Sequence, residues 1–364
     1  MKTYPIPMVP GPVLVPAEVL KAYQVNYGSA DLESDFIELY NRVEEGLQKI
    51  METENSIAIQ SGEGMLALWA ALKSCLTPGD RVLSIATGVF GDGIADMAEA
   101  VGADVRRIRL EYNRTISDVE AVEEAVKEFK PKMITAVHCE TPSGTLNPLA
   151  DVGRIKKEHG VALFYVDAVA SMGGTPVLTD QWNIDLCLGA SQKCLSSLPD
   201  VAFVAVSEAA WEVIHQVDYT GYDALKPFRT ARKDMYFPYT PNWHAMAGLN
   251  AAVELILNEG LKNCFARHKK VAEYCRNRLK DMGLSLFPAP DAVPSPTVTA
   301  VRVPEGISWP EFDAKLRERG LVVGGSYGPL AGKVFRLGHM GAQADMELMK
   351  RALEVIESVT NPEK

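Results

Sequence analysis

The sequence predicts an α/β fold in which a large domain, with a mostly parallel sheet between helices, precedes a smaller C-terminal α+β domain. Two observations predict this arrangement. From residue 56 to about residue 206, short apolar runs alternate with amphipathic runs, which is typical of βαβ units. Beyond residue 260 the pattern changes to long helices followed by a few strands. We expect the large domain at 16–257, the small domain at 258–364, and residues 1–15 packed near the functional site.

The predicted strands of the large domain are short β-branched or apolar runs, most of them bounded by turn residues. They are SIAIQ (56–60), RVLSIA (81–86), DVRRIRL (104–110), MITAVH (133–138), ALFYVDA (162–168) and VAFVAVS (201–207). Apolar runs without strict alternation indicate strands that helices cover on both faces of a parallel sheet. Ligands of such sheets bind outside the carboxyl ends of the strands, so we expect the functional site there.

The predicted helices lie between these strands and beyond them. In the large domain they are GMLALWAALKSCL (64–76), DGIADMAEAVG (92–102), SDVEAVEEAVKEF (117–129) and DVGRIKKEHG (151–160). A longer helix, capped near Asn242 and closed at Gly260, leads into the small domain. The elements expected there are helices at 264–283 and 308–320, strands within 298–306, 321–326 and 333–341, and a terminal helix.

Composition excludes several classes of function. The net charge of −10, without any basic block, argues against nucleic acid or an anionic membrane surface as a partner. No run approaches the roughly 18 apolar residues needed to cross a bilayer. The proline-rich N-terminus does not resemble a signal peptide. The cysteines, which form no CxxC pair, indicate buried free thiols and a cytoplasmic location; they are Cys75, Cys139, Cys187, Cys194, Cys264 and Cys275.

One lysine stands where a buried residue is expected. Lys193 lies in LCLGASQKCLSSLPD (186–200), which runs from an apolar, strand-like stretch into a loop of small residues. Desolvation lowers the pKa of a lysine, and the neutral amine can attack a carbonyl to form a Schiff base. A structural lysine whose stem packs under the loop fits this stretch equally well. The remaining residues therefore have to decide between the two interpretations.

Polar groups at other predicted strand ends favour the chemical interpretation. Asp167 ends the strand ALFYVDA, where it could cap a helix or hold a ring nitrogen protonated. The turn in QSGEGMLALW places the amides of Glu63, Gly64 and Met65 at the positive end of a helix, where they could hold a phosphate. The side chain of Gln192 could add a donor.

Two further side chains extend this set. Phe90, between glycines in what we expect to be a loop, could be core or could stack on a planar ligand. Arg336, within an apolar strand, needs a carboxylate partner, and its forked guanidinium suits a substrate carboxylate. A phosphate cradle, a carboxylate, an aromatic face and a buried amine together indicate pyridoxal 5'-phosphate (PLP). No metal is expected at His138–Glu140, because adjacent residues on a strand point to opposite faces.

The chain resembles the class V, fold type I aminotransferases, particularly the alanine–glyoxylate and serine–pyruvate aminotransferases. VDAVASMGG followed by GASQKCL at this spacing is a specific signal. The other matching segments span nearly the whole chain: PGPVLVP, GEGMLALWAAL, TPGDRVL, GVFGDG, HCETPSGTLNPL, PSPTVTAVRVPEG and GKVFRLGHMG. The resemblance implies PLP as the cofactor and transamination between alanine or serine and glyoxylate or pyruvate. It also implies a homodimer whose subunits share the site.

The resemblance implies a role for each matching residue. Lys193 would form the Schiff base and move the proton, and Asp167 would pair with the ring nitrogen. The other cofactor contacts would be Val169 and Phe90 on the two ring faces, Thr141 near the phenolic oxygen, Glu63, Gly64, Met65 and Gln192 at the phosphate, and Thr240 from the second subunit. The substrate would contact Arg336 and Gly11.

Some positions depart from the family pattern. Phe90 stands where many relatives have tryptophan, and LPD (198–200) replaces the usual two prolines and glycine. HCETPSGTLNP, NEG and RLGHMG are similar to pyridoxamine–pyruvate aminotransferase, which takes the free vitamin as its substrate. That alternative function stays open, although Tyr327 replaces an arginine of that enzyme and Phe90 replaces a tyrosine.

Two other readings of the same fold are less favoured. A cysteine desulfurase needs a reactive cysteine on a mobile loop, and no cysteine here lies in an exposed Gly/Ser-rich segment. A non-catalytic PLP-binding relative would be expected to lose the lysine, the aspartate or the arginine. Lys193, Asp167 and Arg336 are all present.

Overall fold

The computed structural model describes residues 3–360. Its strands, in chain order, are β1 (Ile6–Met8), β2 (Ser56–Ser61), β3 (Arg81–Ala86), β4 (Asp104–Arg109), β5 (Met133–Val137), β6 (Cys139–Glu140), β7 (Thr145–Leu146), β8 (Leu163–Asp167), β9 (Leu186–Ala190), β10 (Val201–Val206), β11 (Val298–Arg302), β12 (Leu321–Gly325) and β13 (Val334–Gly338).

The helices are α1 (Ala17–Ala22), α2 (Ser34–Met51), α3 (Gly64–Cys75), α4 (Val89–Ala100), α5 (Val119–Phe129), α6 (Ala150–Glu158), α7 (Glu208–Val217), α8 (Ala231–Asp234), α9 (Trp243–Glu259), α10 (Leu261–Asp281), α11 (Trp309–Glu318) and α12 (Met346–Thr360). Short 3-10 helices span Lys226–Arg229, Gly328–Leu330 and Gly341–Gln343.

The central sheet has seven strands in the order β2-β10-β9-β8-β5-β3-β4. All neighbours are parallel except β10, which runs antiparallel to both β2 and β9. Every residue of β8, β9 and β10 is buried, as expected for strands covered on both faces. The predicted α/β fold with a mostly parallel sheet is therefore confirmed.

A second sheet has four strands in the order β1-β12-β13-β11. Its strand β1 comes from the N-terminal segment and pairs in parallel with β12, so the chain start is tied to elements more than 300 residues later. The predicted boundary at 257 falls inside α9, and the domain limits stay a prediction. Residues 1–2 and 361–364, which those limits include, lie outside the described residues.

Most predicted elements of the large domain are present. All six predicted strands end within one residue of their expected limits. Asn242 caps α9 by accepting a hydrogen bond from the amide of Ala245 at 3.1 Å, and Gly260 ends that helix with φ +82. Helix α10 begins at Leu261 rather than at 264, because Gly260 ends one helix and opens the next.

One prediction about local structure is wrong. Phe90 was expected on a loop, whereas α4 begins at Val89 and Phe90 lies in its first turn. The side chain of Glu140 accepts hydrogen bonds from the amides of Phe90 and Gly91, so a residue 50 positions away caps the helix. A cap supplied from another strand leaves no signal in the local sequence.

Three expectations concern thiols, membranes and metals. All six cysteines are buried and free, which confirms that part of the prediction. Among residues 3–360, no helix is both long and apolar enough to cross a membrane. The same residues contain no group of three or more His, Cys, Asp or Glu side chains that could hold a metal ion.

Two glycine-to-alanine substitutions test the packing of the large domain. A Cβ at Gly153 in α6 would lie 1.7 Å from the carbonyl oxygen of Trp182. We expect Gly153→Ala to lower the free energy of unfolding by about 1–3 kcal/mol, because backbone must move. In α4, a Cβ at Gly93 would meet no atom within 4 Å, so Gly93→Ala should raise it by about 0.5–1 kcal/mol. Urea titrations measure both, and equal effects would contradict the packing.

Candidate active site

A cavity of about 170 Å³ opens at the carboxyl edge of the central sheet. Its walls come mainly from the segments that follow β2, β3, β5, β8 and β9, whose carboxyl ends share this edge. Nine predicted site residues line it: Glu63, Gly64, Met65, Phe90, Thr141, Asp167, Val169, Gln192 and Lys193. Residues that were predicted separately from the sequence therefore lie around one cavity.

Three other lining residues were missed. They are Leu68, Cys139 and Ala170. Leu68 lies one helical turn after Gly64, and Cys139 lies two positions before Thr141, so helix and strand periodicity could have indicated both.

The amine of Lys193 lies on the turn after β9, held by the backbone. Its Nζ donates a hydrogen bond to the carbonyl oxygen of Pro10 at 2.7 Å. Burial lowers the pKa of this amine, and the charge of Arg336 lowers it further, while Asp167 acts in the opposite direction. A lysine of lowered pKa supplies the neutral amine that attacks carbonyl carbons.

The N-terminal strap, which runs from Val9 to Leu14, covers Lys193. Gly11 has φ +93, and a Cβ there would lie 2.6 Å from Lys193 Nζ, so only glycine fits. The buried side chain of Gln343 fastens both ends of the strap. Its Nε2 donates to the carbonyl of Val9 at 2.9 Å, and its Oε1 accepts from the amide of Leu14 at 2.8 Å. Sequence reasoning missed Gln343, because its contacts are long-range.

The carboxyl group of Asp167 ends β8 inside the cavity wall. One oxygen accepts a hydrogen bond from the amide of Val169 at 2.9 Å, and the other accepts none from any described residue. Burial raises the pKa of this carboxyl to about 6, although the Val169 amide and the charge of Lys193 both oppose the rise. A protonated ring nitrogen beside Asp167 would stabilise the carboxylate and be stabilised by it.

The glycine turn after β2 carries its own carboxylate. Glu63 caps α3 by accepting a hydrogen bond from the amide of Met65 at 3.1 Å, and it also accepts one from Gln192 Nε2 at 3.3 Å. Gly64 is buried, and a Cβ there would lie 3.3 Å from Ala190 Cβ. The helix N-terminus expected to hold a phosphate is thus capped by an acidic side chain.

Arg336 lies on β13 and is almost fully buried, and it is not among the residues that line the cavity. Its Nε donates to the carbonyl of Gly325 at 2.8 Å, and its Nη2 donates to the same carbonyl. The guanidinium lies 4.6 Å from the ring centroid of Tyr327. It forms no ion pair with any described side chain. A buried guanidinium without a carboxylate is costly, so a carboxylate ligand would complete this arrangement.

Thr240 does not reach the cavity of its own chain. It is exposed, and its hydroxyl donates a hydrogen bond to Asp31 at 3.2 Å. The resemblance assigned it to the site of a second subunit, so its position leaves that assignment a prediction.

Comparison with known proteins identifies the family. The family model for class V aminotransferases matches residues 10–335. The chain belongs to the class V aminotransferases. It is 37% identical to an uncharacterised aminotransferase of Methanocaldococcus jannaschii over 94% of this chain and 89% of that protein. It is 34% identical to pyridoxamine–pyruvate transaminase of Mesorhizobium japonicum over 98% and 91% of the two chains.

A solved structure agrees with this assignment. The alanine–glyoxylate aminotransferase of Nostoc sp. superposes with a TM-score of 0.94 at 32% identity, covering 99% of this chain and 96% of that one. The predicted resemblance and fold type are therefore confirmed, and this class V aminotransferase uses PLP.

The cavity of this aminotransferase fits the ring of PLP. Phe90, Val169 and Thr141 all line it, and the carboxyl of Asp167 has an oxygen free to meet a ring nitrogen. The amine of Lys193 is the group that would react with the aldehyde of PLP. At the phosphate end the fit requires movement, because the Glu63 carboxylate must leave the amide of Met65 before a phosphate can bind there.

One substitution tests the electrostatics of the cavity. Arg336→Met removes a positive charge that lowers the pKa of Lys193, so this pKa should rise. The pH profile for cofactor uptake by the protein freed of cofactor should then shift to higher pH. Arg302→Met removes an exposed arginine that stacks on Phe287 and serves as the control. Identical profiles for Arg336→Met and the wild type would contradict the coupling.

Proposed function

We propose that this class V aminotransferase transfers the amino group of alanine or serine to glyoxylate or pyruvate. The observation that carries the proposal is the buried Arg336 guanidinium, which lacks a carboxylate among the described residues and whose charge lowers the pKa of the Lys193 amine. One fixed cation suits the single α-carboxylate of a small amino acid or oxo acid. Relatives named alanine–glyoxylate aminotransferase support this choice.

Lys193 carries out the proton transfer of the proposed reaction. Bound PLP supplies an electron-withdrawing ring that takes up the electron pair left when the α-proton departs. Lys193 Nζ takes that proton from the amino donor and later returns it. Its lowered pKa keeps a neutral fraction available for this general-base step.

Two other residues orient and stabilise. Asp167, through its oxygen free of other described donors, holds the proton on the ring nitrogen and so keeps the ring electron-withdrawing. Arg336 holds the substrate carboxylate, and the hydrogen bonds to Gly325 fix the plane of its guanidinium. Amino donor and acceptor use the same site in turn, so ping-pong kinetics are expected.

Spectroscopy tests the proposal. The purified protein should carry the visible absorbance band of bound cofactor, which falls when alanine or serine is added and recovers with glyoxylate or pyruvate. Asp167→Asn should bind the cofactor yet slow this recovery about 10²–10⁴-fold, the usual scale for losing a proton-handling group. A protein whose band ignores both amino acids and both oxo acids would contradict the proposed substrates.

A second candidate function is transamination between free pyridoxamine and pyruvate, with no phosphate on the vitamin. One structural observation favours it. The end of the cavity expected to bind phosphate presents acceptors, namely the Glu63 carboxylate and the buried Gln192 Oε1, which has no donor among the described residues. Acceptors suit a hydroxyl group better than a phosphate. The relative named pyridoxamine–pyruvate transaminase supports this alternative.

Glu63→Gln separates the two candidates. Removing the negative charge should tighten binding of PLP by about tenfold or more, a change of about 1.4 kcal/mol, and leave binding of pyridoxal nearly unchanged. Dissociation constants from absorbance titrations measure both. If wild-type protein prefers PLP and the substitution changes neither constant, Glu63 plays no part in the choice.

We also propose that the protein acts as a homodimer in which Thr240 contacts the phosphate in the partner's site. The support is the placement of Thr240 outside its own cavity, within a stretch that exposes large apolar residues, including Met235 and Tyr236. A cytoplasmic location is also proposed, supported by six buried free thiols.

Subunit mixing tests the shared site. Thr240→Glu should repel phosphate in the partner's site, and Lys193→Ala should abolish its own. A mixed dimer keeps one intact site, so random mixing of the two inactive variants should restore roughly a quarter of the sites. No recovery after mixing, or full activity of Thr240→Glu alone, would contradict the arrangement.

A further inference from the structure

Glu140 is a buried carboxylate that the reaction outlined above does not use. Its side chain lies outside the cavity lining and is fully shielded from solvent. One oxygen accepts a hydrogen bond from the amide of Gly91 at 2.7 Å, and the other accepts one from the amide of Phe90 at 3.2 Å. Both amides belong to the first turn of α4.

No cation among the described residues compensates this carboxylate. Burial, together with the nearby charges of Asp167 and Asp92, raises the pKa of Glu140 to about 8, although the two amides oppose the rise. The ionised form is therefore stabilised only by the N-terminus of α4, whose amides and dipole favour a negative charge. Burying a carboxylate without a cation costs folding free energy, so a structural or functional role is expected for Glu140.

The local sequence makes room for this carboxylate. A Cβ at Gly88 would lie 2.5 Å from Glu140 Cδ, and a Cβ at Gly91 would lie 3.2 Å from Glu140 Oε1. Neither glycine has a positive φ, so backbone conformation does not require them. Space for the Glu140 side chain accounts for Gly88, whereas Gly91 is also required by the backbone of Ala86, whose Cα would lie 3.0 Å from the added Cβ.

Glu140 connects two residues that line the active-site cavity. It holds the backbone of Phe90 through a hydrogen bond, and it directly precedes Thr141, which also lines the cavity. We propose that Glu140 is a positioning residue that fixes the start of α4 so that the ring of Phe90 lies against the cofactor. This inference rests on the stacking role that the family resemblance implies for Phe90, and it adds a residue that the resemblance did not assign.

Cofactor affinity in the absence of substrate tests the proposal. In Glu140→Gln the amide oxygen can accept from one backbone amide, but its NH2 group meets the other amide, so half of the cap is lost. We expect the dissociation constant for PLP to rise about tenfold, equivalent to about 1.4 kcal/mol. Glu44→Gln is the control for loss of a buried carboxylate, because Glu44 is also buried and accepts a backbone amide, that of Ile57, at 2.8 Å; unlike Glu140, it also pairs with Arg232 at 2.6 Å.

A double-mutant cycle shows whether Glu140 acts through Phe90. In a Phe90→Ala background there is no ring to position, so Glu140→Gln should no longer change the dissociation constant. An equal change in both backgrounds would overturn the proposal. So would Glu140→Gln lowering only the unfolding temperature, as expected of the Glu44→Gln control.

A second variant, Gly88→Ala, tests the proposal if Glu140→Gln does not fold. Gly88→Ala pushes against the carboxylate from the other side and should weaken PLP binding in the same Phe90-dependent way. Unchanged binding by folded Gly88→Ala would then overturn the proposal. The response of the wild-type protein to alanine and glyoxylate tests the proposed function separately. If the wild type binds PLP but does not transaminate, the proposed function fails, while the ratio of the PLP dissociation constants of Glu140→Gln and wild type still tests the role of Glu140.

Discussion

The site depends on a lysine amine kept away from water. Lys193 Nζ is held at 2.7 Å from the carbonyl of Pro10, inside walls that leave it little solvent. Removing water lowers the pKa of the amine, and the neighbouring Arg336 charge acts in the same direction. An amine that is neutral more often at neutral pH is a better nucleophile and a better base, so the same desolvation serves both cofactor attachment and proton transfer.

Two distant parts of the chain maintain that desolvation. The parallel sheet brings Asp167 and the turn after β9 to one edge, while β1 anchors the N-terminal strap to the second sheet. Gln343 then fixes the strap at both ends, and Gly11 permits its close approach to Lys193. The chemistry therefore depends on contacts between residues more than 300 positions apart, which is why the two sheets must be correctly placed before the site exists.

Local signals in the sequence predicted much of this. Continuous apolar runs located the strands, and Asp167 and Lys193 were recognised because a charged residue ends or follows such a run. The early start of α4 was not predictable, because Glu140 caps it from another strand. The roles of Pro10 and Gln343 were also missed, since they arise from backbone carbonyls and from tertiary hydrogen bonds that no local pattern records.

Chemical trapping tests the central claim most directly. Borohydride reduction of the protein with its bound cofactor, followed by peptide mapping, shows which amine carries the covalent link. We predict a single modified lysine, Lys193, in the peptide that contains Gln192 and Cys194, and protection of that amine against labelling by pyridoxal when the cofactor is present. Modification of a different lysine, or recovery of this peptide unmodified, would contradict the account.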